Sequence, residues 1–334
     1  MRFALSRSWL PGLSSQQRWG RNRNALRRKQ RTEAYEMPLR LTRRNFAALA
    51  GAALLSPKAI AQTGAPLVTR AIPNSGERIP VVGLGTAYVF DKADEATRRK
   101  AGAVVQALIA NGGRLIDTAS TYGDAELVLA DVIASGGLRD KLFIATKLEA
   151  PDAAELKRSL ARLKTAKVDL LQLHNVRSTT QSLALFRDWK ERGVCRYIGI
   201  TSTYKRDYQA VEAVLKREKP DFVQIDYSLD NREAEKRILP LAAEVKAGVL
   251  TAVPFGSGRL FSAVRGKELP DWARPFASSW AQFFLKYLVG DLRVTAVIPG
   301  TGDPGHMTDN AGAMRGPLPD PDQRRQMVAF IQAL

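Results

Sequence analysis

The 334-residue chain has one cysteine, Cys195, which excludes an internal disulfide. With only two histidines and no Cys/His cluster at zinc spacing, a metal is not expected either. Cys195 opens an apolar run and reads as core packing. Acidic residues are scarce, 33 against 51 Lys and Arg, for a net charge of +18. Such an excess would suit a nucleic-acid binder if it formed one patch. Residues 1–61, however, hold 13 of the bases and 2 of the acids, so most of the excess sits in the leader. Elsewhere the charge is scattered over helix-like segments such as 156–164, as on solvated faces, and nucleic acid is not an expected partner. No apolar run reaches the ~20 residues that cross a bilayer, which argues against a permanent membrane anchor.

What is there begins with a biased leader. Residues 1–36 are rich in Arg, Ser, Gln and Asn without apolar periodicity, and read as a disordered or untranslated extension. From Met37 the order changes: Arg40, then Leu41-Thr-Arg-Arg-Asn-Phe46, a small apolar run over 47–55, and Ala59-Ile-Ala61. A charged start, a short hydrophobic segment and an A-x-A site make a secretory signal, here with paired arginines. It resembles a twin-arginine leader over 37–61, cleaved after Ala61. That resemblance implies the twin-arginine export machinery as a partner and a periplasmic location; a cytoplasmic protein with a basic tail is the alternative.

The chain as a whole has the 45% hydrophobic make-up of a globular protein, and residues 62–334 are read as its folded part. Residues 67–79 read as a hairpin around a Pro73-Asn-Ser-Gly76 turn. Strand-like runs then follow at 81–86, 114–118, 142–148, 168–174, 196–202, 222–227, 249–255 and 294–300. Helical patterns alternate with them at 96–111, 125–134, 152–163, 181–192, 204–217, 233–245 and 278–289. Eight strands alternating with helices over about 250 residues predict a single α/β domain, a (β/α)8 TIM barrel with an N-terminal β-hairpin. A doubly wound sheet would want a third glycine and a helix after its first strand, and Gly83-Leu-Gly-Thr-Ala-Tyr88 has neither.

In such a barrel the chemistry sits at the C-terminal strand ends. There the second strand carries Asp117, with Tyr122 in its loop; the third carries Lys147; the fourth ends in His174. Each has an ordinary structural use, in capping, snorkelling or packing, but four together at three adjacent strand ends argue for a site. A tyrosine, with a pKa of about 10, releases its proton poorly near neutrality. An ammonium beside it is expected to lower that value, with Asp117 holding Lys147 charged and His174 hydrogen-bonding a substrate oxygen. The set describes a general acid for a carbonyl under reduction.

These residues resemble the aldo-keto reductase family over about 71–310. Gly83-Leu-Gly-Thr86 is similar to its first strand, Ile116-Asp-Thr-Ala-Ser-Thr-Tyr-Gly123 to its Asp/Tyr motif, Ala145-Thr-Lys147 to its lysine strand and Leu173-His174 to its histidine strand. The resemblance implies NAD(P)H-dependent reduction of an aldehyde or ketone, with Tyr122 protonating the oxygen and NADPH expected before NADH. It places Thr201, Ser202 and Gln224 at the nicotinamide and Thr301 and Asn310 at the adenosine end. It also exposes departures: Ala252 stands where an aromatic stacks on the nicotinamide, and Gly300 and His306 stand where the family has Lys and Arg for the 2′-phosphate.

Tyr88, Phe90 and Phe255, with Phe261 nearby, are expected to wall the substrate pocket above Tyr122. Without the long C-terminal loop of many relatives, that pocket is expected to be open. A monomer is expected. The alternative to an enzyme is a nucleotide-binding sensor or partner subunit on the same barrel with little turnover, which the altered contacts at Ala252, Gly300 and His306 would suit.

Overall fold

The computed structural model describes residues 65–334, so the extension expected over 1–36 and the leader expected over 37–61 lie outside the described residues. The Pro73-Asn-Ser-Gly76 turn closes an antiparallel hairpin of β1 (Thr69–Ala71) and β2 (Arg78–Pro80), with Thr69 opposite Pro80. Gly76 supplies the positive φ of 75° that this turn needs.

Eight strands follow: β3 (Leu84–Gly85), β4 (Leu115–Asp117), β5 (Phe143–Leu148), β6 (Val168–Leu173), β7 (Cys195–Ser202), β8 (Phe222–Asp226), β9 (Gly248–Ala252) and β10 (Ala296–Val297). They pair in parallel in chain order. The sheet closes on itself where Val82 and Gly85 bridge Val297 and Gly300, with Gly85 N donating to Pro299 O at 3.0 Å. The expected barrel is therefore the observed one.

The helices outside it are α1 (Glu95–Ala110), α2 (Ala125–Gly136), α3 (Ala153–Arg162), α4 (Ala184–Glu191), α5 (Tyr208–Glu218), α6 (Glu233–Lys236), α7 (Ile238–Glu244), α8 (Arg259–Ala263), α9 (Trp280–Val289), α10 (Pro304–Gly312) and α11 (Pro321–Gln332). Asp94, Asp152, Ser279, Asp303 and Asp320 cap five of them by accepting from the third backbone N–H. The single helix expected over 233–245 is two, because Pro240 has no N–H to give the Lys236 carbonyl and the chain kinks at Arg237.

Alternation along the strands sorts side chains between two cores. Inward-facing Leu115, Phe143, Leu170, Tyr197, Phe222, Leu250 and Ala296 fill the lumen, and hairpin residues Ile72 and Ile79 pack with them. The hairpin thus plugs the N-terminal end, where Tyr197 Oη also donates to Glu77 Oε2 at 2.7 Å. Outward-facing residues pack against the helices. By the same alternation Asp117, Lys147, His174, Thr201, Gln224 and Ala252 face inward at the opposite end, which leaves that end for the chemistry. The closure has no spare room: a Cβ on Gly85 would lie 2.9 Å from the Ile298 carbonyl oxygen. Gly85→Ala should therefore destabilise the barrel by about 1–3 kcal/mol, read as a lower urea midpoint at unchanged slope.

Candidate active site

The site is assembled by a staircase of backbone hydrogen bonds that joins each strand end to the next loop. Thr86 N donates to Asp117 O at 3.0 Å, Thr118 N to Ala145 O at 2.9 Å, Ser120 N to Lys147 O at 3.1 Å and His174 N to Leu148 O at 2.9 Å. Glu155, on the first turn of α3, ties two of these loops: it accepts from Ser120 Oγ at 2.6 Å and from the backbone N–H groups of Glu149 and Ala150.

At the centre Lys147, 1% exposed, donates to Asp117 Oδ2 at 2.6 Å and to Thr118 O at 2.7 Å. Burial is the largest single influence and opposes the ammonium, but Asp117 and Tyr122 together outweigh it and hold the Lys147 pKa above the ordinary lysine value. The other Asp117 oxygen accepts from Gln172 Nε2 at 3.3 Å, and Gln172 also donates to Gln224 Oε1 at 3.0 Å. Gln172 was not among the expected site residues. Its signal was available in the alternation, since it faces inward two residues before His174.

Tyr122 lies over this pair, its ring centroid 4.8 Å from Lys147 Nζ. The expected lowering of its pKa is not the net result. Burial raises the phenol above its ordinary value and the ammonium offsets only part of that, with Asp117 adding to the rise. The physical reason is that the barrel mouth removes more hydration from a tyrosinate than one paired ammonium returns. Tyr122 is therefore a proton donor at neutral pH. His174 meets its ring edge-on at 5.7 Å between centroids. Burial, with Lys147 and Arg177 nearby, depresses the imidazole to about 3, so the ring is neutral. Its Nδ1 faces Thr121 Oγ1 at 3.3 Å and Glu149 Oε2 at 3.2 Å. Glu149 is a second neighbour that sequence reasoning missed, although it lies two residues after the inward-facing Lys147.

The remaining expected residues divide. Thr201 faces the lumen, and its Oγ1 accepts from Asn175 N at 3.0 Å while keeping a proton to donate. Gln224 is buried beside it, with Thr201 and Gln224 paired in register across β7 and β8. Ser202 faces the other way. Its hydroxyl bonds Asp207 Oδ2 at 2.9 Å and Tyr204 N at 3.1 Å, which shapes the turn before α5. Thr301 Oγ1 accepts from Asp303 N at 3.1 Å, and Asn310 is buried within α10. Gly300 and His306 bring no cation, and Asp303 places a carboxylate at the start of α10.

The three aromatic residues expected in the pocket wall have different surroundings. Tyr88 is 94% exposed at a φ of 63°, which turns its ring into solvent. Phe90 is fully buried in the outer core. Phe255 packs on Phe261 at 4.8 Å and on Phe284 at 6.5 Å between ring centroids. Cys195 is buried, as expected, and its thiol is pushed up to about 12 by burial. Among the described residues no group of acids, histidines and cysteine is placed to hold a metal.

These residues fit one end of a nicotinamide cofactor well. Thr201 and Gln224 offer a hydroxyl and an amide to a carboxamide, and Ala252 and Gly300 leave the mouth beside them free of bulk. The fit at a 2′-phosphate is weaker, for want of a cation at Gly300 or His306.

A profile of the aldo/keto reductase family matches residues 81–327. An aldo-keto reductase of Mycolicibacterium smegmatis is 32% identical over 202 residues, 56% of this chain and 66% of that protein, so the match spans just under two thirds of that relative's length. The methylglyoxal reductase YeaE of Escherichia coli is 28% identical over 250 residues, 71% of this chain and 86% of that enzyme. Among solved structures, an aldo-keto reductase from Klebsiella pneumoniae in complex with NADPH superposes with a TM-score of 0.68 at 25% identity, covering 80% of this chain and 95% of that one. With the family profile running from the first barrel strand into the last helix, the chain belongs to the aldo/keto reductase family.

Proposed function

We propose that this protein reduces an aldehyde or ketone to an alcohol with NAD(P)H. The observation that carries the reading is the buried Lys147–Asp117 pair under a protonated Tyr122, with a neutral His174 at its edge. A bound nicotinamide cofactor supplies the hydride. This chain's residues do the rest. Tyr122 Oη gives its proton to the carbonyl oxygen as charge develops there, and the Lys147 ammonium stabilises the tyrosinate left behind. Asp117 keeps the ammonium in place, with Gln172 and Thr86 holding Asp117 in turn. His174 orients the substrate, while Thr201 and Gln224 hold the carboxamide.

Solved relatives bound to NADPH or NADP support that nucleotide first. The name of the Escherichia coli relative makes small aldehydes the first substrates to try. The protein acts as a monomer. The leader over 37–61 makes it an exported member, transported by the twin-arginine route with its cofactor already bound, since free NAD(P)H is not expected outside the cytoplasm. A barrel that only senses nucleotide is the second reading, favoured by Ala252, Gly300 and His306.

Titration of the protein from Gln62 onward with NADPH and NADH, followed by addition of an aromatic aldehyde, separates the two readings. Binding with oxidation on aldehyde is expected, and the two affinities should lie within about tenfold because no Lys or Arg meets the 2′-phosphate. Tyr122→Phe should lose at least about 100-fold in kcat and keep its nucleotide affinity; unchanged turnover would remove Tyr122 from the mechanism.

Lys147→Met should abolish turnover and lower stability by about 3–5 kcal/mol in chemical unfolding, because it strands Asp117 without a partner. A fully stable variant would mean that the pair does not hold the site together.

Replacing Arg43 and Arg44 together by Lys should leave the full-length protein in the cytoplasmic fraction, whereas the parent is recovered from the periplasm. Equal distribution of the two would contradict export by this route.

A further inference from the structure

The side chain that gives up a proton in the reaction proposed above, Tyr122, stands in a loop, and the loop is fastened on both sides of it. Before it, Ser120 N donates to Lys147 O at 3.1 Å. After it, Gly123 takes a φ of 54° and lies so close to the chain at Asp91 that a Cβ would come 2.5 Å from the Asp91 carbonyl oxygen. The Gly123 carbonyl in turn accepts from Arg162 Nη2, at the end of α3. The residue next to Tyr122 is thus held by Asp91 and Arg162 together.

Arg162 does more than meet one carbonyl. Its Nε faces Glu126 Oε2 at 3.5 Å, and its Nη2 lies 3.8 Å from Asp124 Oδ1. Glu126, on the first turn of α2, is fully buried, and its Oε1 accepts from Thr146 Oγ1 at 2.8 Å and from Ser159 Oγ at 2.5 Å. Thr146 immediately precedes Lys147, and alternation turns it into the helix layer while Lys147 enters the lumen. Burial pushes the Glu126 carboxyl above the usual glutamate range, and Ser159, Thr146 and Arg162 each offset part of that. Among the described residues neither Glu126 Oε2 nor Arg162 Nε has a hydrogen-bond partner otherwise, which commits the two to each other. A path of contacts therefore runs from the carbonyl beside Tyr122 through Arg162, Glu126 and Thr146 to the residue before Lys147.

We propose that Arg162 and Glu126 are positioning residues for Tyr122: acting through Gly123 and Thr146, they fix from the helix layer how far the phenol stands from Lys147. The proposal rests on the reading of Tyr122 as the proton donor. Its ring centroid is 4.8 Å from Lys147 Nζ, and the attraction of an ammonium for a forming tyrosinate falls as the two separate. The titratable and charged groups acting on Tyr122 are Lys147 from β5, Asp117 from β4 and Tyr88 after β3, with His174 after β6 meeting its ring edge. Those acting on Glu126 are Arg162 and Glu155 from α3. A change at Arg162 or Thr146 removes none of the groups around Tyr122, so its effect there reports geometry.

The test follows NADPH oxidation by the full-length protein with an aromatic aldehyde across pH. Arg162→Met and Thr146→Val should each lose about tenfold in kcat, with the aldehyde KM and the NADPH affinity unchanged. Reduction needs the protonated phenol, and an ammonium held farther away lowers the phenol less, so the alkaline limb of kcat should move to higher pH in both. Thr146→Val alters no charge and keeps the shape of the side chain, and it decides alone if Arg162→Met does not fold. An unmoved limb in both variants would overturn the proposal, and with a lower unfolding midpoint it is what a purely structural pair would show. A shift in Arg162→Met alone would mean that Arg162 acts by its charge, and a shift in Thr146→Val alone that Thr146 acts without it; either result would overturn the proposal too. Carbon-13 NMR of the tyrosine Cζ atoms, with Tyr122→Phe to assign the signal, follows the same ionisation without turnover, and its midpoint should rise in both variants. If the parent oxidises NADPH with no aldehyde, the reductase reading falls, and that midpoint still decides whether the pair positions the phenol.

Discussion

A lysine ammonium inside a barrel lumen is tolerable only with a carboxylate beside it, and the Lys147–Asp117 contact is the constraint around which this end of the molecule is arranged. Removing two charges from water costs several kcal/mol per ion, and a single contact does not return that unless the remaining valences are also met. Here they are. The ammonium also donates to the Thr118 carbonyl, and the second carboxylate oxygen accepts from Gln172. The strand register makes this possible: Asp117 pairs with Ala145 and Lys147 with Gln172, so the three polar side chains rise from adjacent strands into one layer above the apolar lumen. A slip of one residue in either pairing would turn one of them outward into the helix layer.

The same contact explains why the site is organised for proton donation. Burial and the ammonium act on Tyr122 in opposite directions, and burial is the larger. With burial ahead, the phenol keeps its proton at rest; in the proposed reaction that proton leaves as a substrate oxygen gains negative charge. At that moment the ammonium's attraction for the new tyrosinate counts in full, because few competing water dipoles are present. His174 is kept neutral by the same two causes, desolvation and nearby cations. Burial thus sets the charge state of both neighbours, with the lysine opposing it at Tyr122 and reinforcing it at His174.

Period-two alternation and chain order made the barrel and its four central residues legible, since both signals are local and repeat eight times. Strand limits moved by a few residues only. Some of the failures concern side chains in loops, where alternation gives no direction. Tyr88 and Phe90 are two residues apart after the first barrel strand, yet one is in solvent and the other in the outer core, because Tyr88 sits at a positive φ that no residue pattern announces. Ser202 follows Thr201 on one strand, so only one of the two can face the lumen, and the outward one serves the turn before α5. Gln172 and Glu149 were both readable by the rule that found His174, since each lies two residues from one already placed inward.

The floor and the rim of the site differ in how they are held. Asp117, Lys147, Gln172 and Gln224 stand on hydrogen-bonded strands and are almost fully buried. At the rim, Val253 follows Ala252 with a φ of 53°. For a β-branched side chain that conformation is an outlier, costing on the order of 1–3 kcal/mol. It persists because the Val253 carbonyl accepts from Gly256 N at 2.9 Å, inside a turn where Gly256, Ser257 and Gly258 also take positive φ. The result is that the chain leaves β9 with the small Ala252 facing the lumen and with Val253 displaced to the surface.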